Sequence, residues 1–306
     1  MAKFADQLIE CIRSKNSAAC VGIDPMIEQL PDAIAGPVAK RASASVERTA
    51  EWVYTFSAEI LRVIAPFVPI VKLQIAYFEQ LGLPGINAYY SLMHDAKELG
   101  LLTIGDVKRG DIGSTSEAYA AAHLIDPRDA DDDETAAPDA ITINPMLGMD
   151  AISPFIKTAS DFDKGLFVLV RTSNPGSRDF QDVQLADGRS WSELVADTIA
   201  PVAVQIEHMG TNGYSSIGAV VGATQTHTMT SLRGRLPHSI FLLPGYGTQG
   251  ATAEMTRAAF DKDGLGAIVS ASRSVIYPKP TGGRWSDDVL AAAKQLTHET
   301  NLIRLS

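Results

Sequence analysis

The sequence predicts a (β/α)8 barrel, the TIM-barrel fold, on three observations. Short apolar runs alternate with amphipathic stretches of helical period along the 306 residues. Eight such units can be counted, the number that closes a barrel. Polar and charged residues cluster at the C-terminal ends of the runs, the face on which such barrels build their active sites. An open doubly wound sheet shares the alternation. Its glycine-rich phosphate signature is missing after the first run, where Asp24-Pro25 stands instead.

The predicted strands run from Ala18 to Asp24, Pro69 to Gln74, Leu101 to Lys108 and Ala140 to Asn144. Four more run from Gly165 to Thr172, Ile217 to Gly222, Ile240 to Pro244 and Gly266 to Ser270. Most are continuously apolar, as parallel strands covered on both faces require. Helices are expected over Ser43 to Ile64, Asn87 to Leu99, Trp191 to Glu207 and Thr252 to Phe260. With no internal repeat and no Pro/Ser-rich linker, one domain over residues 1–306 is expected. Asp126 to Glu134 is an acidic run without the alternating acidic and glycine pattern of a calcium loop, and reads as a solvated surface loop. Ser173 to Ser190 is long and turn-rich, a candidate lid over the barrel mouth.

An apolar fraction of 45% supports a substantial core, and 26 basic against 36 acidic residues leave a formal charge of −10. That balance argues against nucleic acid or an anionic membrane as partner. A local cluster of cations can still hold a small anion. Cys11 and Cys20 are too few for a disulfide framework and point to a reducing compartment. The first residues lack the apolar core of a signal peptide, and no apolar run reaches the length of a membrane span. A cytoplasmic protein is expected.

Chemistry concentrates in Asp106-Val107-Lys108-Arg109-Gly110-Asp111-Ile112-Gly113-Ser114-Thr115. On an extended strand, Asp106 and Lys108 project to one face. Lys72 closes in from the neighbouring strand, and Asp24 ends the first. Each charge alone fits a strand-end salt bridge. Together they favour a catalytic cluster, since alternating signs lower the cost of burying each member. A carboxylate beside an ammonium on a rigid strand end can deliver a proton to a reacting carbon. Two interleaved lysines oppose a divalent cation, and no histidine has ligand spacing here, so no metal is expected.

Glycines in Pro244-Gly245-Tyr246-Gly247-Thr248-Gln249-Gly250 and the run Ser270-Ala271-Ser272-Arg273-Ser274 follow strands seven and eight, the frequent phosphate site of this fold. Arg273 adds a bidentate donor suited to phosphate. Ser173 and Asn174 offer uncharged hydrogen bonds suited to a heterocycle amide or sugar hydroxyls, although Asn-Pro-Gly also makes an ordinary turn.

These residues resemble the orotidine 5′-phosphate decarboxylase family. The segment from Asp106 matches its Asp-x-Lys-x-x-Asp motif. Val21-Gly22-Ile23-Asp24-Pro25, Val71-Lys72-Leu73-Gln74 and Ser272-Arg273-Ser274 extend the likeness over nearly the whole chain. The resemblance implies decarboxylation of orotidine 5′-phosphate to uridine 5′-phosphate without a cofactor. By resemblance, Lys108 donates a proton to C6, Asp106 lies near the substrate carboxylate, and Lys72 bridges Asp106 and the ribose. Asp24 binds ribose hydroxyls, Ser173 the pyrimidine amide, and Gln249 with Arg273 the phosphate. Asp111, with Thr115 beside it, joins the active site of the other subunit in a homodimer with shared sites. The insertion from Asp126 to Ala137 and the loop from Gly176 to Ser190 are extra length, as in a longer bacterial-type subgroup. Two other readings stand beside this one: a magnesium-dependent sugar-phosphate decarboxylase or aldolase with the same motif, and a catalytically silent phosphate-ligand-binding barrel.

Overall fold

Runs dominated by Val, Ile, Leu and Ala hydrogen-bond side by side and close into a ring of eight parallel strands, in chain order, in this computed structural model. It describes residues 2–36, 45–126, 135–222, 226–245 and 256–306. The strands are β1 (Ala19–Ile23), β2 (Ile70–Gln74), β3 (Leu102–Arg109), β4 (Ala140–Ile143), β5 (Gly165–Arg171), β6 (Ser215–Val221), β7 (Ser239–Leu243) and β8 (Ala267–Ala271). Closure is made where Ala19 of β1 pairs with Val269 of β8. Every strand expected from the sequence is present, because a parallel strand buried on both faces must be apolar throughout.

The long helices are α1 (Phe4–Ser14), α2 (Val46–Ile64), α3 (Gly82–Glu98), α4 (Gly113–Leu124), α5 (Met149–Asp161), α6 (Trp191–Ala203), α7 (Thr226–Arg235) and α8 (Trp285–Arg304). Ser45 caps α2 by accepting the Arg48 N–H at 3.3 Å, and Ser190 with Glu193 forms a capping box at the start of α6. α3 begins before the predicted Asn87, because Pro84 suits a first helical turn where no N–H is needed. α6 ends at Ala203, short of the expected Glu207, two residues after Pro201. Of the predicted helix from Thr252 to Phe260, residues 252–255 lie outside the described residues, as do residues 127–134 of the acidic run. No helix among the described residues is long and apolar enough to cross a membrane.

The interior is floored by α1. Phe4 meets Phe167 edge-on, ring centroids 6.0 Å apart, directly above Gly165. A Cβ at Gly165 would stand 2.2 Å from the Phe4 ring, so only glycine lets this plug seat. Leu8, Ile9 and Ile12 continue the buried face of α1, each worth about 1.5–3 kcal/mol of transfer free energy. With the bottom closed by apolar packing, the polar residues are left at the opposite, C-terminal mouth.

One buried histidine gives the fold a pH dependence of its own. His123 on α4 is 5% exposed, and its Nδ1 has no partner among the described residues. Burial and the nearby Arg109 cation push its pKa down to about 4. The unfolded chain therefore binds the proton first as pH falls, so this contribution is whole above about 6.5 and is lost between 6.5 and 4. The loss is on the order of 3 kcal/mol. Replacing His123 by Asn should flatten the fall of denaturant midpoint over that range; an unchanged slope would show that another group titrates.

Candidate active site

Six strands, β2 to β7, bring their C-terminal ends to one cavity of about 350 Å³ at the barrel mouth. Lys72 comes from β2, Asp106 and Lys108 from β3, and Thr142 from β4. Thr172, Ser173 and Asn174 follow β5, while Leu169, Val220 and Leu242 supply an apolar wall. A roomier groove of about 620 Å³ lies outside the barrel between α2 and α3. Its carboxylates Glu47 and Glu51 are exposed to water, so the chemistry belongs to the mouth.

The centre of the mouth is the Asp106 carboxylate, 5% exposed. Oδ2 accepts from Lys72 Nζ at 2.7 Å and Gln74 Nε2 at 2.9 Å. Oδ1 accepts from Lys108 Nζ at 2.5 Å and Thr142 Oγ1 at 2.9 Å. Burial alone would raise the Asp106 pKa, but Lys72 and Lys108 outweigh it and hold the carboxyl well below the usual range. Lys72 is the mirror case. Burial would lower its pKa, yet the charges of Asp106 and Asp24 hold it above the ordinary lysine value. Asp106 and Lys72 are therefore ionised at neutral pH, and each carboxylate oxygen accepts from one lysine Nζ.

The strand alternation that places Asp106 and Lys108 together is locally broken. Pairing of β3 with β4 shifts register between Gly105 and Arg109, a bulge, and Lys108 sits at φ 46°. That left-handed backbone costs a non-glycine residue about 1–3 kcal/mol and persists only where neighbours over-determine it. Here the Lys108 N–H donates to Thr142 Oγ1 at 3.0 Å, and Arg109 Nη1 donates to the Val107 carbonyl at 3.0 Å. Asn144, a strand-end position of unassigned role in the sequence, donates its N–H to the Arg109 carbonyl at 2.8 Å and so ties the bulge to β4. Bulges of this kind re-aim a side chain. The Lys108 side chain stays 46% exposed toward the cavity while its tip holds Asp106.

Asp24 ends β1. Its Oδ2 accepts from Ser272 Oγ at 2.6 Å, and its buried Oδ1 has no hydrogen-bond partner among the described residues. Ser173 is half-buried and lines the cavity. Arg273 opens a short helical turn, Arg273–Ile276, and is exposed. Gln249 lies outside the described residues. Asp111 and Thr115 are not brought to the triad within this chain. Asp111 lies before α4, where its Oδ1 accepts the N–H of Ile112 at 2.8 Å, and Thr115 is exposed on the first turn. Around them stand exposed apolar side chains, Ile112 at 57%, Met146 at 61% and Leu147 at 54%.

Three residues that hold this mouth together were given no role from the sequence. Gln74 stands two residues past Lys72 on β2, so period-two reasoning could have found it. Thr142 carried no signal, being one more β-branched residue in an apolar run. Arg171 ends β5 fully buried, paired with Asp182 at 2.9 and 3.1 Å and donating to the Thr172 carbonyl at 2.6 Å. It pins the segment expected to be a lid, which here folds into the turn Pro175–Ser177 and the short helix Arg178–Gln181. Cys20 lies on β1 with its thiol pushed up to about 12 by burial, so it is held as an inert thiol. Both cysteines are free.

A closed parallel barrel with a hydrogen-bonded Lys-Asp-Lys triad at its C-terminal mouth defines a TIM-barrel enzyme. The model of the "Orotidine 5′-phosphate decarboxylase / HUMPS family" matches residues 20–281. The chain belongs to that family. Orotidine 5′-phosphate decarboxylase of Rhodopirellula baltica is 38% identical over 98% of this chain and 99% of its own. The enzyme of that name from Deinococcus radiodurans is 37% identical over 90% of both chains. Among solved structures, the OMP decarboxylase of Leishmania donovani superposes with a TM-score of 0.74 at 31% identity, covering 99% of this chain and 100% of that one.

Proposed function

We propose that the protein decarboxylates orotidine 5′-phosphate to uridine 5′-phosphate without a cofactor, with Lys108 as the proton donor to C6. Family membership supports the activity, the final step of UMP synthesis. The observation that carries the role of Lys108 is its ammonium, held on Asp106 Oδ1 at 2.5 Å yet open to the cavity. When the bond from C6 to the carboxylate breaks, its electron pair stays on C6. Lys108 stabilises that charge as a fixed cation and then hands C6 a proton, becoming a neutral amine that water reprotonates. Asp106 faces the departing carboxylate and, with Lys72, keeps the Lys108 ammonium in place.

The remaining cavity chemistry suits a nucleotide. Asp24 is a carboxylate acceptor for a ribose hydroxyl at the end of the first strand, Ser173 offers a hydroxyl to the pyrimidine amide, and the exposed Arg273 is a donor for phosphate. Gln249 completes the phosphate site by resemblance. Binding energy at the phosphate, realised only in the transition state, makes that end part of catalysis. The whole chain acts as one barrel domain in the cytoplasm, a setting that suits the free thiols Cys11 and Cys20. Metal-free protein should deplete orotidine 5′-phosphate, followed by its absorbance, equally with and without chelator. Strict dependence on magnesium would move the protein to the sugar-phosphate reading.

The working form in this reading is a homodimer with shared sites. The exposed Ile112, Met146 and Leu147 beside Asp111 form an apolar surface for a second copy, which would carry Asp111 and Thr115 to the other cavity. Mixing inactive Lys108→Ala and Asp111→Ala chains should restore up to about a quarter of parental activity by random pairing, through sites intact in both contributions. Verified heterodimers with no activity would place Asp111 outside the partner's site.

A further inference from the structure

We infer that Thr142 is a positioning residue for the proton donor: its hydroxyl locks the Lys108 backbone to the Asp106 carboxylate. This rests on the reading of Lys108 as the donor. Thr142 is 1% exposed and its Oγ1 makes two contacts, 3.0 Å to the Lys108 amide nitrogen and 2.9 Å to Asp106 Oδ1. The amide can only donate and an ionised carboxylate can only accept. A hydroxyl has one hydrogen, so the direction of both bonds is settled: N–H to Oγ1, and O–H to Oδ1.

The arrangement answers a local need. The bulge between Gly105 and Arg109 leaves this stretch of β3 out of regular register with β4, so the Lys108 N–H needs a partner from elsewhere. Thr142 supplies it from the side chain of the adjacent strand. The same oxygen of Asp106 receives the Lys108 ammonium, so backbone and side-chain tip of one lysine are referred to a single carboxylate. Threonine suits the position, because β-branching restricts χ1 and keeps the hydroxyl aimed. Without the hydroxyl, the left-handed Lys108 backbone loses one of the contacts that hold it, and its ammonium is no longer delivered to the same place.

Two substitutions separate this role from simple packing. Thr142→Val keeps the shape and removes the hydroxyl; Thr142→Ser keeps the hydroxyl and loses a methyl. Thr142→Val should lower kcat for orotidine 5′-phosphate by about 10–100-fold, with KM changed by less than about threefold, as misplacement of a catalytic group does. Thr142→Ser should restore kcat to within about threefold of the parent. Independently of turnover, hydrogen exchange of the Lys108 amide should speed by about tenfold or more in Thr142→Val, and stay slow in Thr142→Ser. Should Thr142→Val not fold, Thr142→Cys, with a thiol that hydrogen-bonds weakly, repeats both measurements. Parental kcat in the hydroxyl-free variant, or an unchanged exchange rate at Lys108, overturns the inference. A parent protein inactive on orotidine 5′-phosphate would instead sink the assignment of function, and the exchange experiment would still decide whether the hydroxyl holds the backbone.

Discussion

Lys108→Ala is expected to lower turnover of orotidine 5′-phosphate by about 10⁴-fold, a barrier increase of about 5.5 kcal/mol. Two roles are removed at once, the cation beside the developing carbanion and the proton that quenches it. Neither is supplied by Lys72, whose ammonium is buried on the far oxygen of Asp106 at 2.7 Å. Folding should survive, since the Lys108 side chain is 46% exposed and its loss leaves Lys72 and Asp106 neutralising each other. Uridine 5′-phosphate should therefore still bind, as titration calorimetry can measure. Turnover within about tenfold of the parent would remove Lys108 from the donor role.

Asp106→Asn is expected to be the most destabilising single change at the mouth, by about 3–5 kcal/mol at neutral pH. Its cost lies in what remains: Lys72, with a side chain 10% exposed, loses the partner that offsets its burial. The pH dependence follows from the two shifts. The depressed Asp106 pKa contributes stability above the ordinary carboxyl value of 3.8, and that contribution is lost as pH falls below it. The raised Lys72 pKa contributes stability below the ordinary lysine value of 10.5, lost as pH rises beyond it. The gap between parent and variant should thus be widest between about 4 and 10 and narrow on either side. Adding Lys72→Met to Asp106→Asn should recover much of the loss in urea unfolding, because no lone buried charge is left. Additive losses from the two substitutions would show that the groups are not coupled.

Two neighbouring positions mark how far local pattern reaches. Asp106 and Lys108 were readable as a pair because side-chain direction alternates along any strand, and the structure does join them at 2.5 Å. The route is different from plain alternation, passing through a left-handed Lys108 at a bulge. Nothing in the residues from Leu102 to Arg109 announces that bulge, which depends on pairing with a strand more than thirty residues later. Arg171 is a similar case. As one cation ending an apolar run it looked like any strand terminus, whereas its partner Asp182 lies in the following loop and becomes a partner only when that loop folds back.

Asp111 draws the line most sharply. The motif Asp-x-Lys-x-x-Asp places it one short step from Lys108, yet the chain turns outward at Gly110, where a Cβ would stand 2.8 Å from the Asn144 carbonyl. Asp111 ends at the rim, away from the Asp106 carboxylate it accompanies in sequence.

The sequence by itself determined the closed barrel and the end of it that carries the charges. Continuous apolar runs can be satisfied only by burial on both faces, and polar strand ends only at the mouth left open by the apolar floor. Tertiary structure alone decided how those charges are held. Thr142, Gln74 and Arg171 act through partners on other strands and loops, and a hydrogen bond between residues distant in the chain leaves no period in the sequence to read.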